Sequence, residues 1–225
     1  MADCLSHFSR GRILHLPYLR NLVSTLDQFY TIRQDYEKIF FIIWGICKTI
    51  ISEYLSGMEK AVGTFGYLDT YIGKVSDSDV IVGLERQLIE TIAFIETLSE
   101  EQLLFRYAEG KWNIKELLVH LIDAERVFGY RALRFSRLDA TPLPGYDEDV
   151  FVKNSYASHR PISEILDEMR TVRGSTIALA KSLNAHVIDF IGNANGMQVS
   201  PRAYMTAILG HEIHHLQIIR DRYIL

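Results

Sequence analysis

Cysteine is scarce in this chain of 225 residues, and both copies lie near its start. They are Cys4 and Cys47, so the chain beyond them has no thiol for a disulfide, a metal site or a nucleophile. This usage is typical of a reducing compartment, and we expect a cytoplasmic protein.

Long runs of lysine and arginine are also missing. The net charge is −4, and acidic and basic residues are mixed along the chain. Proteins that bind nucleic acid usually carry a basic surface for the phosphates. We therefore expect no nucleic acid as a direct partner.

The apolar run at 39–47 is too short to cross a bilayer. It ends at Lys48 after nine residues, whereas a membrane span needs roughly 20. Arg10 and Arg12 interrupt the first apolar stretch, so we also expect no signal peptide. With 48% hydrophobic and 23% charged residues, the composition is that of a globular protein that can bury a full core.

Residues 1–57 differ from the rest, because their apolar residues come without clean helix caps. A break at Gly57 precedes a more regular pattern. We expect 1–57 to be an N-terminal extension, either poorly ordered or not native if translation starts at Met58. If this extension folds, 39–55 should be helical. The remaining residues, 58–225, should form the main domain.

Four segments of that domain repeat apolar residues at spacings of three and four, which predicts amphipathic helices. The predicted helices are 80–98 after a capping cluster, 113–135 from Asn113, 161–183 with Pro161 in the first turn, and a last helix with Ser200 as N-cap. A turn at 193–196 could join 187–188 and 197–199 as a hairpin. The pattern predicts an all-α four-helix bundle of about 150 residues.

The last helix carries two histidines on its inward stripe. His211 and His215 are four residues apart, in line with apolar positions, so both rings can approach one cation. A tetrahedral ion needs more ligands, and His120 of the second helix can supply one if the two helices are neighbours. The alternative is a hydrogen-bonded core histidine with solvated neighbours.

The string at 211–215 also matches the H-E-x-x-H motif of zinc metalloproteases, in which the glutamate is the general base. We discount a protease, because those enzymes usually take a third ligand well downstream and only ten residues follow His215. Glu212 could equally face solvent or support a ligand. His214 points about 100° away from His211 and should support a ligand or lie at the surface.

Four other side chains could contribute to such a site, but each also has a purely structural explanation. Glu116 and Asp123 lie about one turn from His120 and could orient its ring, although charges on a helix flank are more often solvated. Trp112 should pack at the helix start. Tyr204 should fill the core rather than line a pocket.

Three motifs together resemble the DinB/YfiT-like superfamily over roughly residues 67–225. They are 110–126 (GKWNIKE…HLIDAER), 141–147 (TPLPGYD) and 210–216 (GHEIHHL). The resemblance implies an up-down-down-up four-helix bundle in which His120, His211 and His215 bind a divalent metal such as zinc or nickel. It also implies that dimers are common.

Members of that superfamily include metal-dependent transferases that use bacillithiol, mycothiol or glutathione. We hypothesise that a low-molecular-weight thiol attacks an electrophilic small molecule at the metal, because the domain lacks its own cysteine. One alternative is a hydrolase that uses water at the same position. Another is a non-enzymatic, stress-related metal-binding homodimer. The sequence assigns no catalytic residue.

Overall fold

A computed structural model of the chain describes Met58, Lys60, Ala61 and residues 63–224. The predicted extension at 1–57, with its helix at 39–55, lies outside these residues.

The regular structure of the described residues consists of seven α-helices, two short 3-10 helices (Gly66–Leu68 and Ala157–His159) and one small hairpin. The helices are α1 (Asp69–Ile72), α2 (Val80–Ile95), α3 (Glu100–Leu104), α4 (Ile114–Ser136), α5 (Glu148–Asn154), α6 (Ile162–Ser182) and α7 (Pro201–Arg222), and the strands are β1 (Gly192–Ala194) and β2 (Met197–Val199). Within that part of the chain, no helix has both the length and the apolarity needed to cross a membrane.

The long helices begin where the capping residues lie. Asp79 accepts hydrogen bonds from the first amides of α2, and Ser200 accepts one from Ala203 at the start of α7. At α4 the predicted capping box is present: Asn113 and Glu116 each bond the backbone amide of the other. Pro161 differs from the prediction, because it stands at the N-cap of α6 rather than in its first turn.

The four long helices α2, α4, α6 and α7 form a ring. Helix α7 packs against α2 and α4, and α6 packs against the same two helices from the other side. Consecutive helices α2 and α4 are therefore diagonal to each other, as are α6 and α7. The predicted four-helix bundle is confirmed.

Cross-helix contacts give the helix directions. Glu85 of α2 pairs with Lys181 of α6, and Glu96 at the C-cap of α2 pairs with Arg170 of α6. These two helices are therefore antiparallel. Thr91 contacts Glu212 and Phe94 stacks under Arg220, so α2 and α7 are parallel.

Helix α4 is antiparallel to α7, because the ring of His120 contacts that of His215 and the ring of Phe128 contacts that of Tyr204. It is parallel to α6, since Lys115 reaches Arg160 just before α6 and Arg126 reaches Glu168 within it. The order is up, down, down, up, as the resemblance implies. The long connection that contains α5 lets the chain return to the same end.

The hairpin was predicted with the correct turn but the wrong first strand. Asn195 and Gly196 both have positive φ, which a two-residue turn of this type needs. The strand before them is β1, not 187–188, because Val187 and Ile188 bond back to the carbonyl of Asn184 in a helical turn. The strand that pairs with β2 is therefore β1, which directly precedes the two-residue turn.

Glycine at position 192 permits close packing of β1 on α4. A methyl group there would stand 2.3 Å from the ring of Phe135. Leu143 adds backbone bonds to Asn193 and Asn195. The hairpin thus fixes the loop that leads to α5.

The apolar core consists of two clusters. One gathers around Phe128, Phe135 and Tyr204, and the other around Leu118 and Leu216. Buried polar side chains lie between the two clusters in sequence on each of the four long helices, and His120 lies among residues of the second cluster on α4. The seven side chains, each at most 7% exposed, are Gln87, Thr91, His120, Glu125, Arg173, His211 and Glu212. A polar layer therefore crosses the middle of the bundle.

Two glycine substitutions test the packing of α1 on α7. A methyl group at Gly210 would stand 2.0 Å from the carbonyl oxygen of Tyr71, whereas one at Gly129 of α4 meets nothing within 4 Å. We expect Gly210→Ala to lower the free energy of unfolding by about 1–3 kcal/mol or more. Gly129→Ala should raise it by about 0.5–1 kcal/mol, because alanine favours helix.

Urea unfolding followed by circular dichroism measures both changes. Equal stability of the Gly210→Ala protein and the unmodified protein would contradict the close approach of Tyr71 to α7.

Candidate metal centre

Three imidazoles from two helices converge at one point of the polar layer. Nε2 of His120 lies 3.2 Å from Nε2 of His211. One ring nitrogen from each of His120, His211 and His215 lies within 4.8 Å of the other two. The antiparallel packing of α4 on α7 brings the histidines together although about ninety residues separate them.

Burial keeps these imidazoles neutral. Desolvation lowers the pKa of His120 to about 4, an effect that the charge of Asp149 partly opposes. Desolvation, with the neighbouring His120 and His214, lowers the pKa of His215 to about 3. The pKa of His211 falls well below its ordinary value for the same reason. Each ring therefore offers an unprotonated nitrogen at neutral pH.

This arrangement fits a divalent metal ion. Two nitrogens bound to zinc at about 2.0–2.1 Å in tetrahedral geometry lie roughly 3.3 Å apart, and the nitrogens of His120 and His211 are separated by 3.2 Å. Nδ1 of His215 is buried with no hydrogen-bond partner among the described residues, which is unfavourable unless something else binds the ring. A single hydrogen bond between two histidines would not account for the third ring.

Aromatic rings flank the three histidines. The ring of Trp112 lies 4.8 Å from that of His120, and the ring of Tyr71 lies 4.7 Å from that of His211. Trp112 therefore packs at the start of α4, as predicted, and does so directly on a candidate ligand. His214 lies outside the cluster, with its ring against Tyr71. Tyr204 is fully buried in the core, also as predicted.

Glu212 is buried, and its carboxylate forms no hydrogen bond to an imidazole within the described residues. It is only 2% exposed; Oε2 accepts a hydrogen bond from Arg173 at 2.6 Å, and Oε1 accepts one from the Thr91 hydroxyl. Both oxygens therefore already have hydrogen-bond donors, Arg173 and Thr91. Of the roles that the sequence left open for Glu212, exposure to solvent is wrong.

Sequence reasoning missed the partner of Glu212. Arg173 of α6 is 1% exposed and forms a two-bond ion pair with Glu125 of α4, with both N–O distances 2.8 Å. Burial alone would lower the pKa of Arg173, but the charges of Glu212 and Glu125 raise it above its ordinary value. A signal was present, because Arg173 falls on the same helical stripe as Met169 and Thr176.

The other two acidic candidates do not orient a histidine. Glu116 completes the cap of α4 and also binds Arg106 and Ser158. Asp123 pairs with Arg126 at 3.4 Å. Neither carboxylate forms a hydrogen bond to an imidazole within the described residues.

The fold and the cluster together define a four-helix bundle with three histidines poised around one point. The comparison with known families agrees. The sequence model of the DinB superfamily matches residues 84–219, and the chain belongs to that superfamily.

Two similar proteins carry names of one kind. A protein of Oceanobacillus iheyensis, provisionally named a metal-dependent hydrolase, is 24% identical over 129 residues, covering 56% of this chain and 73% of its own length. The solved structure of YfiT from Bacillus subtilis, described with the same provisional activity and an unusual four-helix bundle topology, superposes with a TM-score of 0.56 at 18% identity. The superposition covers 73% of this chain and 91% of YfiT. A likeness at 18% identity shows the fold alone.

Replacing Arg173 tests the importance of the buried ion pairs. Arg173→Met would leave two buried carboxylates without a cation, and we expect it to lower the free energy of unfolding by about 3–5 kcal/mol. Arg170→Met on the same helix removes pairs with Glu96 and Asp167 from a side chain that is 43% exposed. Its effect should stay within about 1 kcal/mol.

Both variants can be compared by urea unfolding at pH 7. Similar losses from the two substitutions would show that the buried pairs contribute no more than surface pairs do.

Proposed function

We propose that His120, His211 and His215 bind one divalent metal ion and that the protein is a metal-dependent hydrolase of a small-molecule substrate. The observation that carries this proposal is the convergence of three neutral imidazoles on one point. The provisional name of the Oceanobacillus iheyensis protein supports hydrolysis rather than thiol transfer, which the sequence analysis hypothesised.

Zinc and nickel are the metals we propose. Imidazole nitrogen suits both, and no thiolate lies in the described part of the chain to select a softer ion. Three protein ligands leave a position for a further group, which distinguishes catalytic zinc sites from closed structural ones.

A metal ion held in this way supplies Lewis-acid chemistry and a strong nucleophile near neutral pH. The chain's own residues set up that chemistry. His120 and His211 are buried and unprotonated, so protons would not compete with a cation for their ring nitrogens near neutral pH. The ring of Trp112 packs against His120 and that of Tyr71 against His211, which helps to hold these two imidazoles in place.

Thiol transfer is the second candidate function. No cysteine lies in the described part of the chain, and for this reason we propose that the attacking sulfur would arrive with a cosubstrate. A low-molecular-weight thiol would then occupy the position that water takes in the hydrolase. A non-enzymatic metal-binding protein is the third candidate.

We also propose that the protein is a homodimer and that it lies in the cytoplasm. The dimeric state rests on the superfamily resemblance, and the cytoplasmic location rests on the scarcity of cysteine. Sedimentation equilibrium at micromolar concentration tests the dimer, and a single species of about 26 kDa would contradict it.

Metal analysis tests the ligand set. We expect the untagged protein to retain one zinc or nickel ion per chain, and His120→Ala and His211→Ala each to lose most of it because two nitrogens bind far more weakly than three. His186→Ala, which changes an exposed histidine, is the matched control and should retain the ion. Full metal content in both ligand variants would remove these histidines from the site.

Activity assays separate the three candidates. The metal-loaded protein is tested on a panel of small esters, amides and phosphoesters, and separately on electrophiles with bacillithiol, mycothiol or glutathione. We expect metal-dependent hydrolysis that His120→Ala abolishes and His186→Ala leaves unchanged. Thiol conjugation without hydrolysis would favour the transferase, and metal binding without any turnover would favour the non-enzymatic protein.

A further inference from the structure

Three buried charged side chains near the histidines have no role in the proposed function. Glu125, Arg173 and Glu212 are each at most 5% exposed and come from three different helices. Two carboxylates share one guanidinium, so the group carries a formal charge of −1. A buried charge imbalance of this kind is unfavourable unless a positive charge lies nearby.

Neighbouring groups satisfy the hydrogen bonds of this network but do not neutralise it. Thr91 donates to Glu212 and accepts from Gln87 at 3.3 Å. The remaining donor of Arg173 reaches the backbone carbonyl of Leu84 at 3.0 Å. None of these groups is a cation, so the excess negative charge remains within the bundle.

A small cavity connects the network with the histidine cluster. Its volume is about 10 Å³, which is close to the space that one water molecule needs. The lining residues are Leu121, Glu125, Arg173, Ile208, His211 and Glu212. One candidate metal ligand and both carboxylates of the network therefore face the same space.

The orientation of His211 directs a ring nitrogen away from the cluster. Its Nε2 faces Nε2 of His120, so Nδ1 lies on the other side of the ring. Nδ1 makes no hydrogen bond to any described residue. Metal-binding histidines almost always donate this second N–H to a carboxylate, a carbonyl or a water.

We infer that the Glu125–Arg173–Glu212 network supports the metal centre electrostatically and positions His211 through one water in the cavity. Nδ1–H of His211 donates to this water, and the water donates to a carboxylate oxygen of Glu125 or Glu212. The excess negative charge offsets part of the charge of the ion. These are positioning residues, and the inference rests on the metal site of the proposed function.

The first test measures zinc affinity by competition with a chelator at pH 7. Glu125→Gln and Glu212→Gln keep the side-chain shape and remove one charge, and each should weaken zinc binding about 10–100-fold. Glu168→Gln is the matched control, because Glu168 is also shared by two arginines, Arg126 and Arg160, but does not line the cavity. It should bind zinc as the unmodified protein does.

A second readout shows whether the effect is local. With cobalt in place of zinc, the visible absorption spectrum should change in Glu125→Gln and Glu212→Gln and stay the same in Glu168→Gln. A network that only holds the helices together would leave both the spectrum and the affinity of the folded protein unchanged. Unchanged zinc affinity in both glutamine variants would overturn the inference and leave the proposed metal site intact.

The unmodified protein provides a test that does not depend on the variants folding. In the zinc-loaded protein labelled with ¹⁵N-histidine, we expect His211 to carry its proton on Nδ1 and to exchange it slowly with solvent. A deprotonated Nδ1, or one that exchanges freely, would rule out the bridge. Failure of the unmodified protein to bind any divalent ion would instead overturn the proposed function, and this inference with it.

Discussion

Arg173 makes the contacts on which the middle of the bundle depends. Its guanidinium bonds Glu125 of α4, Glu212 of α7 and the backbone of α2, so a side chain of α6 joins all four long helices at one level. A buried guanidinium is stable only while its carboxylates stay in place, and the reverse also holds. This mutual requirement fixes the level at which α4 faces α7.

That level is also where the histidines meet. Glu212 follows His211 directly in α7, so anchoring the glutamate to Arg173 fixes the rotation of the helix and turns His211 toward His120. All three imidazoles stand on long helices rather than on loops. Side chains on packed helices are held more precisely than side chains on loops, so the packing of the bundle sets the positions of the three rings.

Local signals in the sequence predicted much of the fold. Asn113 with Glu116 and Ser200 with Pro201 mark helix starts correctly, because a cap depends only on residues within one turn. The first strand of the hairpin was misplaced, because Val187 and Ile188 look like a strand but turn back on Asn184. Glu212 was left open between several roles, because its partner lies on another helix.

The sequence by itself determined the four amphipathic helices, the caps of α2, α4 and α7, and the two histidines of α7 that share a stripe, since all of these depend on contacts within a few residues. Only the tertiary structure decided that His120 meets them and that Arg173 is buried between two glutamates. Periodicity shows which face of a helix is buried but not which helix covers it. The partner of a buried charge is set by helix order and direction, which arise only when the whole bundle packs.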